Sequence, residues 1–225
     1  MDFRNIRRVT VFAGHYGSGK TNVAVNYALN IKNLRETHIA DLDIVNPYFR
    51  TKDAEKILAD NGIRLISSAY ANTNVDTPAI APETYEIIHN KNINAVVDVG
   101  GDDRGALALG RYAPGIIEEN DYDMLFVINK YRYLTSDLTS AVEVMKEIEE
   151  ASSMKFTGIV NNSNLGAETD EDTVKGSFEY ARQISEYTGL DIKFTTVRED
   201  LAECFRDYKN IMPIKIYVKQ DWIRE

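Results

Sequence analysis

Several features that other protein classes require are scarce in this sequence. Among its 225 residues there is a single cysteine, Cys204, which excludes an intramolecular disulfide and a zinc site built from the cysteines of one chain. We expect Cys204 to pack as a small residue in a late helix. No apolar run approaches the length of a membrane span. Residues 1–8 are charged and lack the apolar stretch of a signal peptide, so we expect a cytoplasmic protein with no membrane partner.

Basic residues are also in the minority. The chain has 26 Lys and Arg against 35 Asp and Glu, and its formal net charge of −9 disfavours a broad nucleic-acid-binding face. Hydrophobic residues make up 44% of the sequence, which is enough for a substantial core. The length suits one large α/β domain over residues 1–225 better than two smaller ones.

Apolar strand-like runs alternate with helical patterns along the whole chain. This alternation predicts an α/β fold, with a doubly wound, mostly parallel sheet and helices on both of its faces. Ligands of such sheets bind at the carboxyl ends of the strands. The predicted strands are Val9–Ala13, His38–Asp43, Arg64–Ser67, Ile93–Val99, Met124–Asn129, Phe156–Val160 and Asp191–Thr195. The predicted helices are Asn22–Ile31, Asp53–Ala59, Pro82–His89, Ser136–Glu150 and Glu171–Tyr187.

Two further segments have patterns of their own. Ile214, Ile216 and Val218 alternate with polar residues, which predicts a final edge strand. The stretch from Tyr70 to Pro82 is rich in Asn, Thr and Pro, and we expect a long surface loop there. Long loops in compact domains are often functional, so this one is a candidate surface for a partner.

One motif predicts phosphate binding. The pattern G-x-x-x-x-G-K-[ST] is matched without exception by Gly14, His15, Tyr16, Gly17, Ser18, Gly19, Lys20 and Thr21. Its glycines let backbone N–H groups turn around a phosphate chain. The Lys20 ammonium suits the terminal phosphates, and the Thr21 hydroxyl suits Mg²⁺. The motif joins a predicted strand to a helix that starts at Asn22, where the helix dipole also favours an anion.

Carboxylates that could hold Mg²⁺ follow two other predicted strands. Asp98 ends an apolar run and precedes Gly100 and Gly101, whose lack of side chains would let the backbone approach a terminal phosphate. A buried acid needs a partner, and Mg²⁺ with its water ligands would supply one. The alternative is that Asp98 caps the next helix. Asp41 and Asp43 would point to the same side of their strand, unless they form a solvated acidic turn.

The sequence does not decide which base is bound, and two short stretches are relevant to this question. Residues 129–132 read Asn-Lys-Tyr-Arg, close to the N-K-x-D signature that recognises guanine. Arg132 can only donate hydrogen bonds where that signature needs an acceptor, so guanine is disfavoured. Asn161 and Asn162 follow another strand, and an asparagine amide can pair with adenine. Asparagine is equally common in turns after strands.

The motifs together resemble those of the deviant Walker A ATPases. This group includes the Min and Par positioning ATPases, the nitrogenase iron protein and metallocentre-insertion ATPases. Residues 16–21 are similar to the end of the group's phosphate loop, and residues 41–43 fall at its second-strand acid. Residues 98–102 resemble the iron protein's stretch after the Walker B strand. Residues 158–163 resemble the strand and turn whose asparagine contacts adenine, which places that role on Asn162, and residues 197–200 match a further adenine-contacting loop weakly.

Two positions depart from the group. Its signature lysine reaches across a dimer interface to the partner's nucleotide, and the matching residue here is His15, which is shorter and mostly neutral near pH 7. The sequence therefore leaves undecided whether the protein forms a homodimer. In a dimer, Arg104 is a candidate to replace the signature lysine as the cation. The iron protein's cluster-binding cysteine matches Gly105. A dimer of this chain has only two thiols, which excludes a four-cysteine iron–sulfur cluster.

The resemblance implies a Mg²⁺-dependent ATP-binding protein and slow ATPase that switches the binding of a protein client between its ATP and ADP states. Lys20 and the loop, with Asn22 and Gly101, would hold the phosphates. Thr21 would bind Mg²⁺ directly, and Asp41 and Asp98 would bind it through water. Asp43 would orient the attacking water. The alternatives are a small-molecule kinase, with Arg104, Arg111 or Arg132 closing over the acceptor, and a nucleotide-binding module without hydrolysis.

Overall fold

The structure is a computed structural model, and it describes residue 3 and residues 5–43, 51–67 and 82–218. The strands are β1 (Val9–Ala13), β2 (Thr37–Leu42), β3 (Arg64–Ile66), β4 (Asn94–Val99), β5 (Tyr122–Ile128), β6 (Gly158–Asn161), β7 (Ile192–Arg198) and β8 (Ile211–Ile214). The α-helices are α1 (Lys20–Ile31), α2 (Glu55–Asp60), α3 (Glu86–His89), α4 (Asp103–Gly110), α5 (Ala113–Glu119), α6 (Leu138–Ser152), α7 (Glu171–Lys175) and α8 (Phe178–Thr188). Short 3-10 helices include Thr51–Ala54 and Glu199–Phe205.

The described strands form one eight-stranded sheet in the order β3-β2-β4-β1-β5-β6-β7-β8. Every neighbouring pair is parallel, so all the strands end at the same edge. The chain leaves β1 on one side to form β2, β3 and β4, and returns on the other side to form β5. The end of β1 is therefore the point at which the winding direction changes, where ligands of open α/β sheets bind.

Helices cover both faces of the sheet because side chains alternate along each strand. On one face, Phe12 of β1 packs with Val23 and Tyr27 of α1 in a buried apolar cluster. On the other face, Val11 of β1 packs with residues of α5, α6 and α8. The central strands β1 and β4 are buried along their whole length, as expected for a parallel sheet with two covered faces.

The prediction of a parallel α/β sheet with helices on both faces is confirmed. Several element boundaries differ from the predicted ones. The helix expected over residues 171–187 is divided into α7 and α8 by a turn at Gly176 and Ser177. The last described strand is Ile211–Ile214, so the alternation beyond Ile214 does not form the expected strand within the described residues. Two helices, α4 and α5, were not predicted.

Cys204 differs from its expected packing. It lies in the 3-10 helix Glu199–Phe205 and is exposed, whereas its neighbour Phe205 is fully buried. The apolar contacts of this segment are therefore made by the phenylalanine. The predicted loop from Tyr70 to Pro82 and the residues that directly follow Asp43 lie outside the described residues, apart from Pro82 itself. No helix within the described ranges is long and apolar enough to cross a membrane.

Candidate nucleotide-binding site

The predicted phosphate-binding loop lies between β1 and α1, at the end of the central strand. Gly17 and Gly19 have φ angles of 77° and 84°, a left-handed conformation that glycine adopts at little cost. The Ser18 N–H donates to the carbonyl of His15 at 3.1 Å, which closes a tight turn. Gly19 directly precedes the first residue of α1, so the loop runs into a helix N-terminus, where unpaired N–H groups and the helix dipole favour an anion.

Lys20 is the first residue of α1 and is almost fully buried. Its Nζ donates to the carbonyl of His15 at 3.2 Å, so the side chain folds back along the loop. Burial lowers the pKa of Lys20, and the negative charges of Asp98, Asp43 and Asp102 oppose this effect. A buried ammonium group inside a tight loop is poorly solvated, and a phosphate anion would add a directly contacting negative charge to those of the nearby aspartates.

Two acids lie on the sheet face that α1 covers. Asp41 of β2 and Asp98 of β4 are opposite each other in the register of the two strands. Phe12 of β1 is opposite Asp98 on the other side and belongs to the core cluster of α1, so these three side chains share one face. The prediction that acids from two strands lie beside the loop therefore agrees with the geometry.

Asp98 is buried and has two unequal oxygen atoms. Its Oδ2 accepts a hydrogen bond from the Thr51 hydroxyl at 2.9 Å, whereas Oδ1 has no hydrogen-bond partner among the described residues. The pKa of Asp98 is raised to about 6, chiefly because the group is buried and also because of the charge of Asp43, whereas Lys20, Thr21 and Thr51 act in the opposite direction. The Thr21 hydroxyl therefore lies near this carboxylate, as a shared Mg²⁺ site requires. The alternative that Asp98 caps a helix is not what the structure shows, because Asp102 is the N-cap of α4 and accepts from the Gly105 N–H.

Asp43 follows the end of β2 and lies next to Gly100. Its N–H donates to Asp41 Oδ1 at 2.9 Å, which orients the two acids relative to each other. A Cβ placed on Gly100 would lie 3.2 Å from Asp43 Oδ1. The end of β2 therefore contacts the turn after β4 closely, and Asp43 and Asp98 both lie near enough to Lys20 for their charges to act on its pKa.

Gly101 lies directly against the phosphate-binding loop. A Cβ at this position would lie 2.7 Å from the Cα of Tyr16 and 2.9 Å from Nζ of Lys20. Only glycine allows this approach without displacing the loop. Gly105 makes a similar contact with the backbone of Gly100, which explains glycine at a position where the iron protein has a cysteine.

Unpaired buried atoms concentrate at this site. Among the described residues, three buried side-chain atoms lack a hydrogen-bond partner, namely Ser18 Oγ, His38 Nδ1 and Asp98 Oδ1. Two of them belong to the loop and to the acid beside it. Buried polar groups without partners are rare, and a ligand is one of the explanations for them. No three His, Cys, Asp or Glu side chains within the described ranges are arranged to hold a metal ion by themselves. Mg²⁺ in a phosphate site usually takes few protein ligands and keeps several waters, so Thr21 with these acids fits that mode.

The predicted adenine contact Asn162 lies beneath the loop. Its Nδ2 donates to the carbonyl of Ser18 at 2.6 Å, and its Oδ1 accepts from the Thr196 hydroxyl. The amide also packs against Gly19, where a Cβ would overlap it. Asn162 is almost fully buried, and in this arrangement it braces the phosphate loop from below. Its pairing with adenine stays a prediction.

The side chains of residues 129–132 have separate contacts in the structure. Asn129 Oδ1 accepts from the Tyr131 N–H at 3.0 Å, and Lys130 Nζ donates to the carbonyl of Gly176 at 2.7 Å. Arg132 turns towards the phosphate loop, where its Nε donates to the carbonyl of Gly17 at 2.9 Å. The near match to the guanine signature therefore consists of residues with separate structural contacts.

Two other predicted site residues have local partners. The Asn22 side chain accepts from the N–H groups of Tyr217 and Val218, so it holds the C-terminal segment on α1 and leaves only its backbone for a phosphate. His15 Nδ1 lies 2.9 Å from the carbonyl oxygen of the next residue, Tyr16, and the His15 ring is partly exposed. Thr51, whose hydroxyl donates a hydrogen bond to Asp98, was not predicted from the sequence.

The sheet order, the loop and the flanking helix define the P-loop nucleotide-binding fold, and comparison with solved structures agrees. FtsY from Mycoplasma mycoides is 16% identical with a TM-score of 0.56, and the match covers 88% of this chain and 62% of that one. The cell division protein FtsY from Thermotoga maritima is 20% identical with a TM-score of 0.56, covering 87% and 63%. The signal recognition particle 54 kDa protein from Aeropyrum pernix, in complex with GDP, is 16% identical with a TM-score of 0.57, covering 86% and 42%.

These similarities are at the level of the fold. The chain spans less than two thirds of the length of each of these three structures. Models of protein families and curated protein sequences give no match to this chain. The function is therefore argued from the site itself.

Proposed function

We propose that the protein is a Mg²⁺-dependent ATP-binding switch with slow ATPase activity. The observation that carries this proposal is that two buried atoms of this site, Ser18 Oγ and Asp98 Oδ1, have no hydrogen-bond partner, and that the buried Lys20 ammonium lies close enough to Asp98 for their charges to interact. A triphosphate with Mg²⁺ provides a cation, bound waters and anionic oxygens, which would give partners to the two unpaired atoms and a phosphate contact to the Lys20 ammonium.

Each residue of the site would have its own role in binding or hydrolysis. The backbone N–H groups of residues 14–19 and Lys20 would hold the phosphates, because both are donors inside a tight loop. Thr21 would bind Mg²⁺ directly, and Asp41 and Asp98 would accept hydrogen bonds from its water ligands. Bound Mg²⁺ would neutralise charge on the phosphate oxygens. Asp43 would orient the water that attacks the terminal phosphate, because it lies at the end of β2 beside Gly100.

Adenine is the base that the contacts favour. Recognition of guanine in the signature considered above uses an aspartate that accepts from the base, and Arg132 occupies that position. Three of the aspartates that follow β5, β6 and β7 also have partners of their own. Asp137 and Asp170 cap helices α6 and α7, and Asp200 pairs with Arg198. The structural neighbour with bound GDP keeps guanine as the alternative to be tested.

The proposed switch acts on a protein client, in the manner of the Min, Par and iron-protein ATPases that the motifs resemble. Loss of the terminal phosphate would change the contacts of Asp43 and of the turn at Gly100 and Gly101, and so change the surface near the loop. A homodimer that holds two nucleotides is one assembly that could form through this surface. In such a dimer a cation other than His15 would make the contact to the partner's nucleotide that the signature lysine makes in that group.

Binding and hydrolysis can be measured directly. Calorimetric titration with ATP, ADP and GTP in Mg²⁺ should give the tightest binding for ATP, with GTP at least about tenfold weaker, the cost of one missing or mismatched polar contact. Equal or tighter binding of GTP would overturn the proposal of adenine as the base, but not the proposal that the protein binds a nucleotide. Failure of every nucleotide to bind would overturn the proposal itself.

Phosphate release and light scattering complete the test. Slow release of phosphate without an added acceptor agrees with an ATPase, and release that requires a hydroxyl compound would show a kinase instead. Tight ATP binding with no release at any protein concentration would show a module without hydrolysis. A change in mass between the ADP and ATP states would show a nucleotide-dependent dimer.

A further inference from the structure

The contact between Thr51 and Asp98 has no role in the site as predicted from sequence. The Thr51 hydroxyl donates to Asp98 Oδ2 at 2.9 Å, and both residues are almost fully buried. Thr51 is the first residue of a 3-10 helix, whose Ala54 packs in the same core cluster as α1. The Thr51 hydroxyl is therefore held in place by a short helix that packs against the core.

This hydrogen bond determines how the Asp98 carboxylate is presented. With Oδ2 occupied, Oδ1 is left as the acceptor without a partner among the described residues. Lys20 lies close enough for its charge to lower the pKa of Asp98, yet its Nζ donates to the His15 carbonyl. The acid and the ammonium are therefore kept in separate contacts, which leaves both available to a ligand.

We propose that Thr51 is a positioning residue for the Mg²⁺-bound form of the nucleotide, an inference that rests on the proposed function. By anchoring Oδ2, Thr51 aims Oδ1 at a water ligand of Mg²⁺ and prevents the carboxylate from rotating towards Lys20. A carboxylate with one anchored oxygen loses less freedom when it receives the metal's water, so binding is stronger. Nucleotide without Mg²⁺ gains nothing from this orientation, because its phosphates contact the loop and Lys20.

The test compares nucleotide affinity in Mg²⁺ with affinity in EDTA. Thr51→Val removes the hydroxyl and keeps the shape of the side chain, and Thr51→Ser keeps the hydroxyl. Thr37→Val is the matched control, because Thr37 is also buried and donates to a backbone carbonyl at the opposite end of β2. ATP binding is measured by calorimetry for the wild type and the three variants, and the Mg²⁺ concentration for half-maximal binding is measured alongside.

The expected result is a loss that depends on the metal. Thr51→Val should weaken ATP binding about tenfold in Mg²⁺, the effect of one lost orienting hydrogen bond, and leave the affinity in EDTA unchanged. The half-maximal Mg²⁺ concentration should rise by a similar factor. Thr51→Ser should match the wild type in both conditions, and Thr37→Val should change neither.

Other outcomes would overturn the inference. An equal loss in Mg²⁺ and in EDTA would show that Thr51 only supports the fold, and no loss in either would show that the contact is unimportant. If Thr51→Val does not fold by circular dichroism, Thr51→Ala and Thr51→Ser are compared in the same two conditions, and equal behaviour of these two variants would also overturn it. A wild-type protein that binds no nucleotide in Mg²⁺ or EDTA would instead overturn the proposed function.

Discussion

Arg132 donates a hydrogen bond from its Nε to the carbonyl oxygen of Gly17, 2.9 Å away and 115 positions earlier in the chain. The contact ties the turn after β5 to the phosphate-binding loop. A Cβ on Gly17 would lie 3.6 Å from the same nitrogen, so the guanidinium packs along the backbone of the loop. Arg132 is exposed and forms no salt bridge with the carboxylates that the structure describes, so its charge is available to a bound anion.

The first prediction follows from this position. Replacement of Arg132 by glutamine should weaken ATP binding about three- to tenfold, because one charge-assisted contact near the phosphates is lost and water screens part of its effect. The measurement is a calorimetric titration at low and high salt, with a larger difference at low salt. Arg206→Gln is the control, since Arg206 is an exposed arginine that pairs with Glu203. The same affinity in both variants would show that Arg132 only supports the loop.

The second prediction concerns Lys20. The variant Lys20→Ala should reduce ATP affinity by at least about 100-fold, since the buried ammonium provides the strongest contact with the terminal phosphates. Its folded structure should persist, because the burial that lowers the pKa of Lys20 also makes its charge costly in the absence of a ligand. Binding is measured by calorimetry and folding by circular dichroism. Lys32→Ala, at the other end of α1, should bind as the wild type does. Unchanged affinity of Lys20→Ala would remove the proposed phosphate contact.

The third prediction separates hydrolysis from binding. Asp43→Asn should slow phosphate release about 100-fold and change ATP affinity less than threefold, because orientation of the attacking water affects the transition state more than the bound substrate. Single-turnover release and calorimetry measure the two effects. Asp60→Asn provides a control with an exposed aspartate at the end of α2. Equal losses in binding and hydrolysis would contradict the role of Asp43 and would assign it to metal binding.

The fourth prediction is a pH dependence of stability in the absence of nucleotide and Mg²⁺. Burial raises the pKa of Asp98 from 3.8 to about 6, so the folded state binds a proton more readily than the unfolded state does. Protonation of Asp98 therefore contributes fully to the stability of the folded state below pH 3.8, and this contribution is lost as the pH rises through about 6. Asparagine cannot lose a proton, so Asp98→Asn should become more stable than the wild type as the pH rises.

Chemical denaturation of both proteins between pH 4 and pH 8 measures this difference. The gap in unfolding free energy should grow with pH, by about 3 kcal/mol at most, and level off near pH 7. A constant gap would mean that Asp98 has an ordinary pKa. With ATP and Mg²⁺ added the order should reverse, because only the wild-type carboxylate can accept hydrogen bonds from the waters of the metal.

Local patterns were enough to predict the position of the loop and of the two acids beside it. The loop Gly14–Thr21 could be located from its own residues, since the glycines, Lys20 and Thr21 act within one continuous turn. The approach of Asp41 to Asp98 could also be anticipated, because parallel strands end at one edge. Thr51 could not, because it meets Asp98 across 47 positions and nothing in its neighbours marks a partner. The role of Asn162 as a brace similarly depends on a contact with Ser18, 144 positions away.

The sequence by itself determined the type of fold and the place of the predicted phosphate-binding loop, because hydrophobic periodicity and turn chemistry operate between residues that are close along the chain. The tertiary structure alone decided which oxygen of Asp98 is left unpaired, which side chain anchors the other, and where Arg132 reaches. These relationships depend on the order of strands in the sheet and on how the elements pack. Residues far apart in the chain become neighbours only when the core has formed.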